Sequence, residues 1–398
     1  MAVVLVSNFL RQFIMREWLP LLLLTTSVAQ SMPKAQVSHT TEDLRGVSVV
    51  SDKVAWASGT HGTFLRTIDS GANWNVSVVP GAEALDFRAV VGFSADEAFL
   101  MSAGPGDQSR IYHTRDGGTH WALQFTDSNP KGFLDSMKFW DSTHGIVLGD
   151  PIPDDAGNLK FELLLTDDGE NWRRIQTSNL PPALAGEGAF AASNTCIAIL
   201  RPGAGEGSGP ARRHDPFKSP KSPSTPKIKS VPVPDANIWF ATGGSTARVF
   251  HSADHGETWE VTESPIAHGS ASAGIFSIAF RDAVHGVIAG GDYKHPDQDG
   301  PNLAFTSDGG KTWKVSSLRP QAYFSAVSYD GEASKEYENA VFAVNPSFIF
   351  DLRSPASPHR ISPGKGAVLK FNAVSAFTAG GGLFVGPTGT IISIPARR

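Results

Sequence analysis

The sequence predicts an all-β chain: a seven-bladed ring of four-stranded antiparallel blades, a β-propeller, closed by an N-terminal strand in the last blade. Three observations carry this. A turn pattern, Ser/Thr-x-Asp-x-Gly-x-x-Trp, recurs along the chain. Its copies are spaced about one small β-sheet apart. The last unit is one strand short, while the start of the chain has one strand to spare, and a bare sheet edge is a liability that closure removes.

The pattern stands at Thr67-x-Asp69-x-Gly71-x-x-Trp74, at Thr114, Asp116, Gly118 and Trp121, at Ser252, Asp254, Gly256 and Trp259, and at Thr306, Asp308, Gly310 and Trp313. A further copy, Asp167-x-Gly169-x-x-Trp172, has Leu165 where the hydroxyl residue belongs. Each copy lies between two short apolar or β-branched runs, the position of a hairpin turn. The Asp can accept backbone N–H groups inside the turn, the Gly can take positive φ, and the Trp can pack beside the hairpin. Five of the nine tryptophans occupy this slot, so the pattern is specific. It resembles the Asp box of the bacterial neuraminidase repeat, which implies a folding device rather than a catalytic centre.

The box tryptophans, at positions 74, 121, 172, 259 and 313, are 47, 51, 87 and 54 residues apart. The long gap contains 201–234, 34 residues with eight prolines and seven Lys/Arg; without it the gap is 53, back in step. That stretch reads as a disordered, basic, Pro-rich insertion within the fourth blade. The expected domains are therefore a leader over 1–29 and one propeller over 36–396 that carries the insertion.

Each unit divides into four strands. In the third they are expected at 134–140, 145–149, 160–166 and 172–177, and in the fifth at 275–280, 286–290, 303–306 and 313–317. These two units share Asp-x-x-His-Gly between their first and second strands, at Asp141/His144/Gly145 and Asp282/His285/Gly286. A tight turn accounts for it better than a metal site. A sixth unit over 323–361 keeps Asp351 without its Gly and Trp. The seventh has three strands, 371–377, 383–386 and 390–394. The β-compatible run 36–40, just before the first unit at Leu44, is expected to pair with 390–394 and supply the missing strand.

Composition agrees with a buried β protein: charged residues are 18% and there are 40 glycines. A net charge of −5 gives no nucleic-acid signature. Cys196 is the sole cysteine, so no internal disulfide forms. Arg11 and Arg16 precede an apolar run ending in Ser27-x-Ala29, an export-signal pattern with cleavage before Gln30 and Met15 as an alternative start. The mature chain is then exported, periplasmic or extracellular, with no stable membrane span. An uncleaved anchor is the alternative.

The stretches 148–151 (Leu-Gly-Asp-Pro), 186–196, 238–244 and 285–292, read together with the boxes, resemble exported bacterial propellers of the photosystem II stability/assembly factor family. The resemblance covers about residues 40–395. It implies a seven-bladed binding scaffold without cofactor or metal, whose partner is a protein or cell-envelope component, or a glycan, at the channel mouth. On the face opposite the boxes, the starts of the innermost strands bring Arg45, Arg88 and Asp135, with Glu187 entering the fourth blade in the same way. Two loops over 150–158 and 292–302 add Asp150, Asp292, Tyr293 and Lys294. Each of these charges has a structural alternative, as a turn cap or in an ion pair with a neighbouring blade. The chemical alternative is a glycoside hydrolase using Asp150 and Asp292 across the mouth. The arginine cluster and tyrosine nucleophile of sialidases are absent as a set, and no Gly-rich nucleotide fingerprint opens a helix.

Overall fold

The computed structural model describes residues 33–175, 179–200, 237–317, 322–329, 341–352, 359–361, 370–378 and 380–395. The expected leader over 1–29 and the insertion over 201–234 lie outside them. Among the described residues, seven antiparallel sheets follow one another along the chain. Blade 1 is Leu44–Val49, Ala55–Gly59, Thr63–Thr67 and Asn75–Val78; blade 2 is Phe87–Gly92, Ala98–Ser102, Arg110–Thr114 and Ala122–Thr126. Blade 3 runs from Leu134–Phe139 through Gly145–Pro153 and Leu159–Thr166 to Arg173–Arg174, and blade 4 from Ile197–Ile199 through Ile238–Ala241 and Arg248–Ser252 to Glu260–Glu263. Blades 5, 6 and 7 begin with Ala273–Phe280, Ala326–Tyr329 and Ala373–Ala376. No helix among the described residues is long and apolar enough to cross a membrane.

The burial pattern explains the apolar runs. Second strands such as Ala55–Gly59, Ala98–Ser102 and Val341–Asn345 are buried at every position, because a neighbouring blade covers each face. Outer strands such as Asn75–Val78 are exposed throughout. The molecule accordingly has no single core. Seven clusters fill the seven seams between blades, for example Trp56, Phe64, Phe87 and Tyr112 between blades 1 and 2, and Phe161, Phe240, Phe250 and Trp259 between blades 3 and 4. Each fully buried large side chain contributes roughly 2 kcal/mol, so each seam is held by many modest terms.

The innermost strands border the channel and lack a strand partner on that side. Side chains from adjoining blades satisfy part of that edge. Ser48 accepts the Gly92 N–H at 3.0 Å, Asn194 that of Met137 at 2.6 Å, Ser277 that of Val327 at 2.9 Å, and Ser375 that of Val49 at 3.1 Å.

The boxes are third-to-fourth strand turns. In the copy at Thr306, the hydroxyl donates to Asp308 at 2.7 Å and accepts the Gly310 N–H at 3.0 Å, and Asp308 accepts the Thr312 N–H at 2.9 Å. The copies at Thr67, Thr114 and Ser252 repeat this geometry. Gly71, Gly118, Gly256 and Gly310 all have positive φ, as the turn requires. The third copy corrects the sequence reading. Its carboxylate is Asp168, not Asp167, and its hydroxyl is Thr166, not position 165. One residue is missing between Asp and Gly, so the turn closes over three residues instead of four, and Asp167 pairs with Arg173 on the surface at 2.9 Å. The box tryptophans fill the seams: Trp74 lies between blades 7 and 1, Trp259 between 3 and 4, and Trp313 packs between 4 and 5.

Asp308→Ala is expected to cost about 1–3 kcal/mol, through lost hydrogen bonds and an unsatisfied N–H, without affecting ligand binding. The box carboxylates also link folding to acid. The His120 backbone N–H and imidazole hold Asp116 down at about 2. A depressed folded pKa adds stability that is whole above about pH 4 and is lost as the pH falls towards 2. Urea unfolding across that range checks both effects; a flat profile, or an Asp308→Ala protein of full stability that no longer binds, contradicts the structural role.

Closure occurs with a shifted strand. Lys34, Ala35 and Gln36 pair antiparallel with Ser393, Ile392 and Ile391. The expected run 36–40 contributes only Gln36: Val37 is 68% exposed, and His39 takes positive φ as the chain turns into blade 1.

Candidate binding site at the channel mouth

The first strands of blades 1, 2, 3 and 5 each carry a bulge near their start, where one residue slips out of register against the second strand. The residues at the bulges are Arg45, Arg88, Asp135 and Phe276. A bulge re-aims a side chain that regular alternation would send into a seam, and here it assembles the mouth. Arg88 donates from Nε to Asp86 at 2.9 Å and from Nη1 to the Ala191 carbonyl at 2.8 Å, which spans from blade 2 to the segment leading into blade 4. Arg45 pairs with the other oxygen of Asp86 at 3.7 Å. Sequence reasoning missed Asp86. The repeated Asp-x-Arg at Asp43–Arg45 and Asp86–Arg88 was the available signal.

Asp135 is 1% exposed, and its Oδ2 finds no hydrogen-bond donor among the described residues. Burial first, then the charge of Asp150, raises its pKa well above the carboxylate range, against the pull of Arg88. Asp150 follows Gly149, which faces Leu134 across the sheet. It accepts the Ala189 N–H at 2.9 Å, and burial raises its pKa too. An aromatic group forms the other wall. Phe276 stacks on Phe190 at 3.9 Å and meets Tyr323 and Tyr293 edge-on at 4.8 and 6.0 Å. Tyr323 is buried, and its pKa is raised by that burial and by Tyr293. Tyr293 and Lys294 are exposed.

Two expected site residues serve the fold instead. Glu187 does not face the mouth: its buried carboxylate takes Arg248 Nε at 2.9 Å and a second Arg248 nitrogen, the Thr242 hydroxyl at 2.6 Å and the Leu184 N–H at 2.8 Å. Asp292 caps its own turn, accepting the Lys294 N–H at 2.9 Å and His295 Nδ1 at 3.0 Å. Although burial opposes it, these bonds bring Asp292 to about 2, which removes it as a proton donor at neutral pH. The 150–158 stretch is no open loop either. The second strand continues to Pro153, and Asp154 caps a tight turn by accepting the Ala156 and Asn158 N–H groups. Asp141 and Asp282 cap the Asp-x-x-His-Gly turns by accepting the N–H of His144 and His285. No group of three or more His, Cys, Asp or Glu among the described residues is arranged to hold a metal.

No family model matches the chain. It is 23% identical over 282 residues to the photosystem II assembly lipoprotein Ycf48 of Synechococcus sp. (strain CC9902), which spans 69% of this chain and 75% of that protein. Among solved structures it is similar to YCF48 bound to D1 peptide, with 14% identity, coverage of 91% of this chain and 96% of that one, and a TM-score of 0.58. It is also similar to the WD40 β-propeller domain of Doa1, with 10% identity, coverage of 91% and 97%, and a TM-score of 0.54. The structural likenesses are those of fold. In sequence the chain is similar to a protein whose name gives it a part in photosystem II assembly.

Proposed function

We propose that this protein is an exported, non-catalytic propeller that binds a protein partner at its channel mouth and assists the assembly or stability of a larger complex. The observation that carries this is the convergence of four bulged side chains with Asp86, Asp150, Tyr293 and Tyr323 at one end of the channel. Aromatic and arginine side chains with few free charges are the composition of a protein-binding centre. The similarity to an assembly lipoprotein, and to a propeller solved with a peptide, supports a protein partner over a sugar. The leader pattern supports export to a periplasmic or extracellular space, where a cell-envelope component is the natural partner.

The test is capture of the partner from native envelope extract by the immobilised protein, with Arg88→Ala and Tyr293→Ala as controls. Truncating a central arginine or aromatic anchor is expected to weaken capture by roughly tenfold or more, that is by about 1.4 kcal/mol or more. Equal capture by both variants moves the interface elsewhere. Hydrolysis of chromogenic glycosides that is abolished by Asp150→Asn replaces this reading with the hydrolase.

A further inference from the structure

Among the described residues, Asp86, Asp127, Glu162 and Asp135 each keep one buried carboxylate oxygen without a hydrogen-bond donor, and the first three have an arginine beside them while Asp135 has no ion-pair partner. Glu187 has four donors, and Asp127 and Glu162, both buried between blades 2 and 3, share Arg174. Asp135 has none for its Oδ2. A buried carboxylate oxygen left without a donor is costly, and where one persists it points to a group supplied from outside. The nearest fixed cation, Arg88, is already engaged through Nε and Nη1 with Asp86 and Ala191. Arg45 is balanced by Asp43 and Asp86. Asp150 keeps one oxygen on Ala189 and is partly open to the mouth. Asp135 and Asp150 feel one another's charge, and Ala189, whose N–H Asp150 accepts, adjoins Phe190, the ring stacked on Phe276 next to Tyr323.

We propose that Asp135 and Asp150 form a subsite for one cationic side chain of the bound protein, a lysine ammonium or an arginine guanidinium, with its aliphatic stem on Phe276 and Tyr323. This rests on the reading of the protein as a protein binder. The chemistry is complementary throughout. Charge-assisted bonds to carboxylates are the strong ones, and the low dielectric of the mouth enhances them. An aromatic wall suits the methylenes of a long basic side chain and attracts its charge. Without a bound cation a proton takes the place, which fits the raised proton affinity of Asp135. A hard divalent ion is a poorer match, since it needs six or more oxygens and only two carboxylates meet here.

The experiment titrates the intact protein with n-butylammonium and n-butylguanidinium, with n-pentanol and n-butyrate as neutral and anionic counterparts, following amide shifts by NMR. At least one cation is expected to bind about tenfold more tightly than n-pentanol, and n-butyrate not at all at this site. Asp135→Asn and Asp150→Asn are each expected to weaken the cation by about tenfold while leaving the melting temperature equal or higher, because a buried unmatched charge has gone. The relative strength of the two cations names lysine or arginine. Equal binding of n-pentanol, preference for n-butyrate, or cation binding indifferent to both variants overturns the subsite. A captured protein partner that depends on Arg88 but not on Asp135 or Asp150 leaves the proposed function standing and removes this inference alone.

Discussion

Replacing Arg248 with methionine is expected to cost about 3–5 kcal/mol. Glu187 is buried with both oxygens engaged, and Arg248 supplies two of its donors and, among the described residues, its only countercharge. The guanidinium is itself buried over the ring of Phe250 at 4.9 Å and donates once more to the Pro182 carbonyl. Removing it leaves a carboxylate inside the protein with the Thr242 hydroxyl and the Leu184 N–H alone. Breaking a buried pair is far more costly than replacing it, so adding Glu187→Gln to Arg248→Met is expected to restore most of the loss. Urea unfolding of the two single variants and the double variant provides the check. If Arg248→Met loses under about 1 kcal/mol, the pair is not structural and Glu187 returns to the candidate binding residues. Binding at the mouth is expected to survive in the double variant, which separates this role from recognition.

Removing the closing strand is the second large effect. A chain that begins at Glu42 loses Lys34–Gln36 and leaves the strand Thr390–Pro395 with an unpaired edge. That edge is β-branched over Thr390, Ile391 and Ile392, the composition that recruits other chains. The loss extends to blade 1, because Gln36 accepts the Trp74 indole N–H at 2.8 Å and donates to the Ser70 carbonyl at 3.3 Å. Gln36 thus ties the closing strand to the first box, and the truncation opens the seam between blades 7 and 1. Three paired residues and two side-chain bonds, less the entropy of ordering the segment, amount to about 2–4 kcal/mol. In a domain of this size that lowers the melting temperature by roughly 3–5 °C relative to a chain beginning at Gln30. Poorer solubility is expected alongside. Equal melting and equal solubility of the two chains overturn closure by this strand.

Much of this fold was legible because it repeats. The Asp, Gly and Trp of the turn act within about seven residues, so their chemistry can be read locally, and the spacing of the copies counts the blades. Where the repeat loses a residue, the local reading slips by one: Asp167 and Asp168 are adjacent carboxylates before the same Gly and Trp, and only the hydroxyl of Thr166 decides between them. The closing strand slipped in the same way. The run 36–40 is β-compatible, but the turn at His39 is set by where blade 1 begins, which moves the pairing to Lys34–Gln36.

The mouth divides along the same line. That Arg45, Arg88, Asp135 and Asp150 lie on the face opposite the boxes follows from strand order alone, and the sequence by itself determined it. What each of them does was decided by partners far away in the chain. Glu187 is structural because Arg248, 61 residues later, reaches it. Arg88 is held across the channel because the Ala191 carbonyl, 103 residues later, lies there. Phe276 joins the mouth because a bulge in blade 5 turns it there, and a separate bulge in blade 3 holds Asp135 where its Oδ2 finds no donor among the described residues. Turn chemistry and repeat spacing are local and survive in one dimension. The pairing of a charge, and the direction of a side chain at a bulge, depend on which blades the closed ring sets side by side, and that is a property of the tertiary structure.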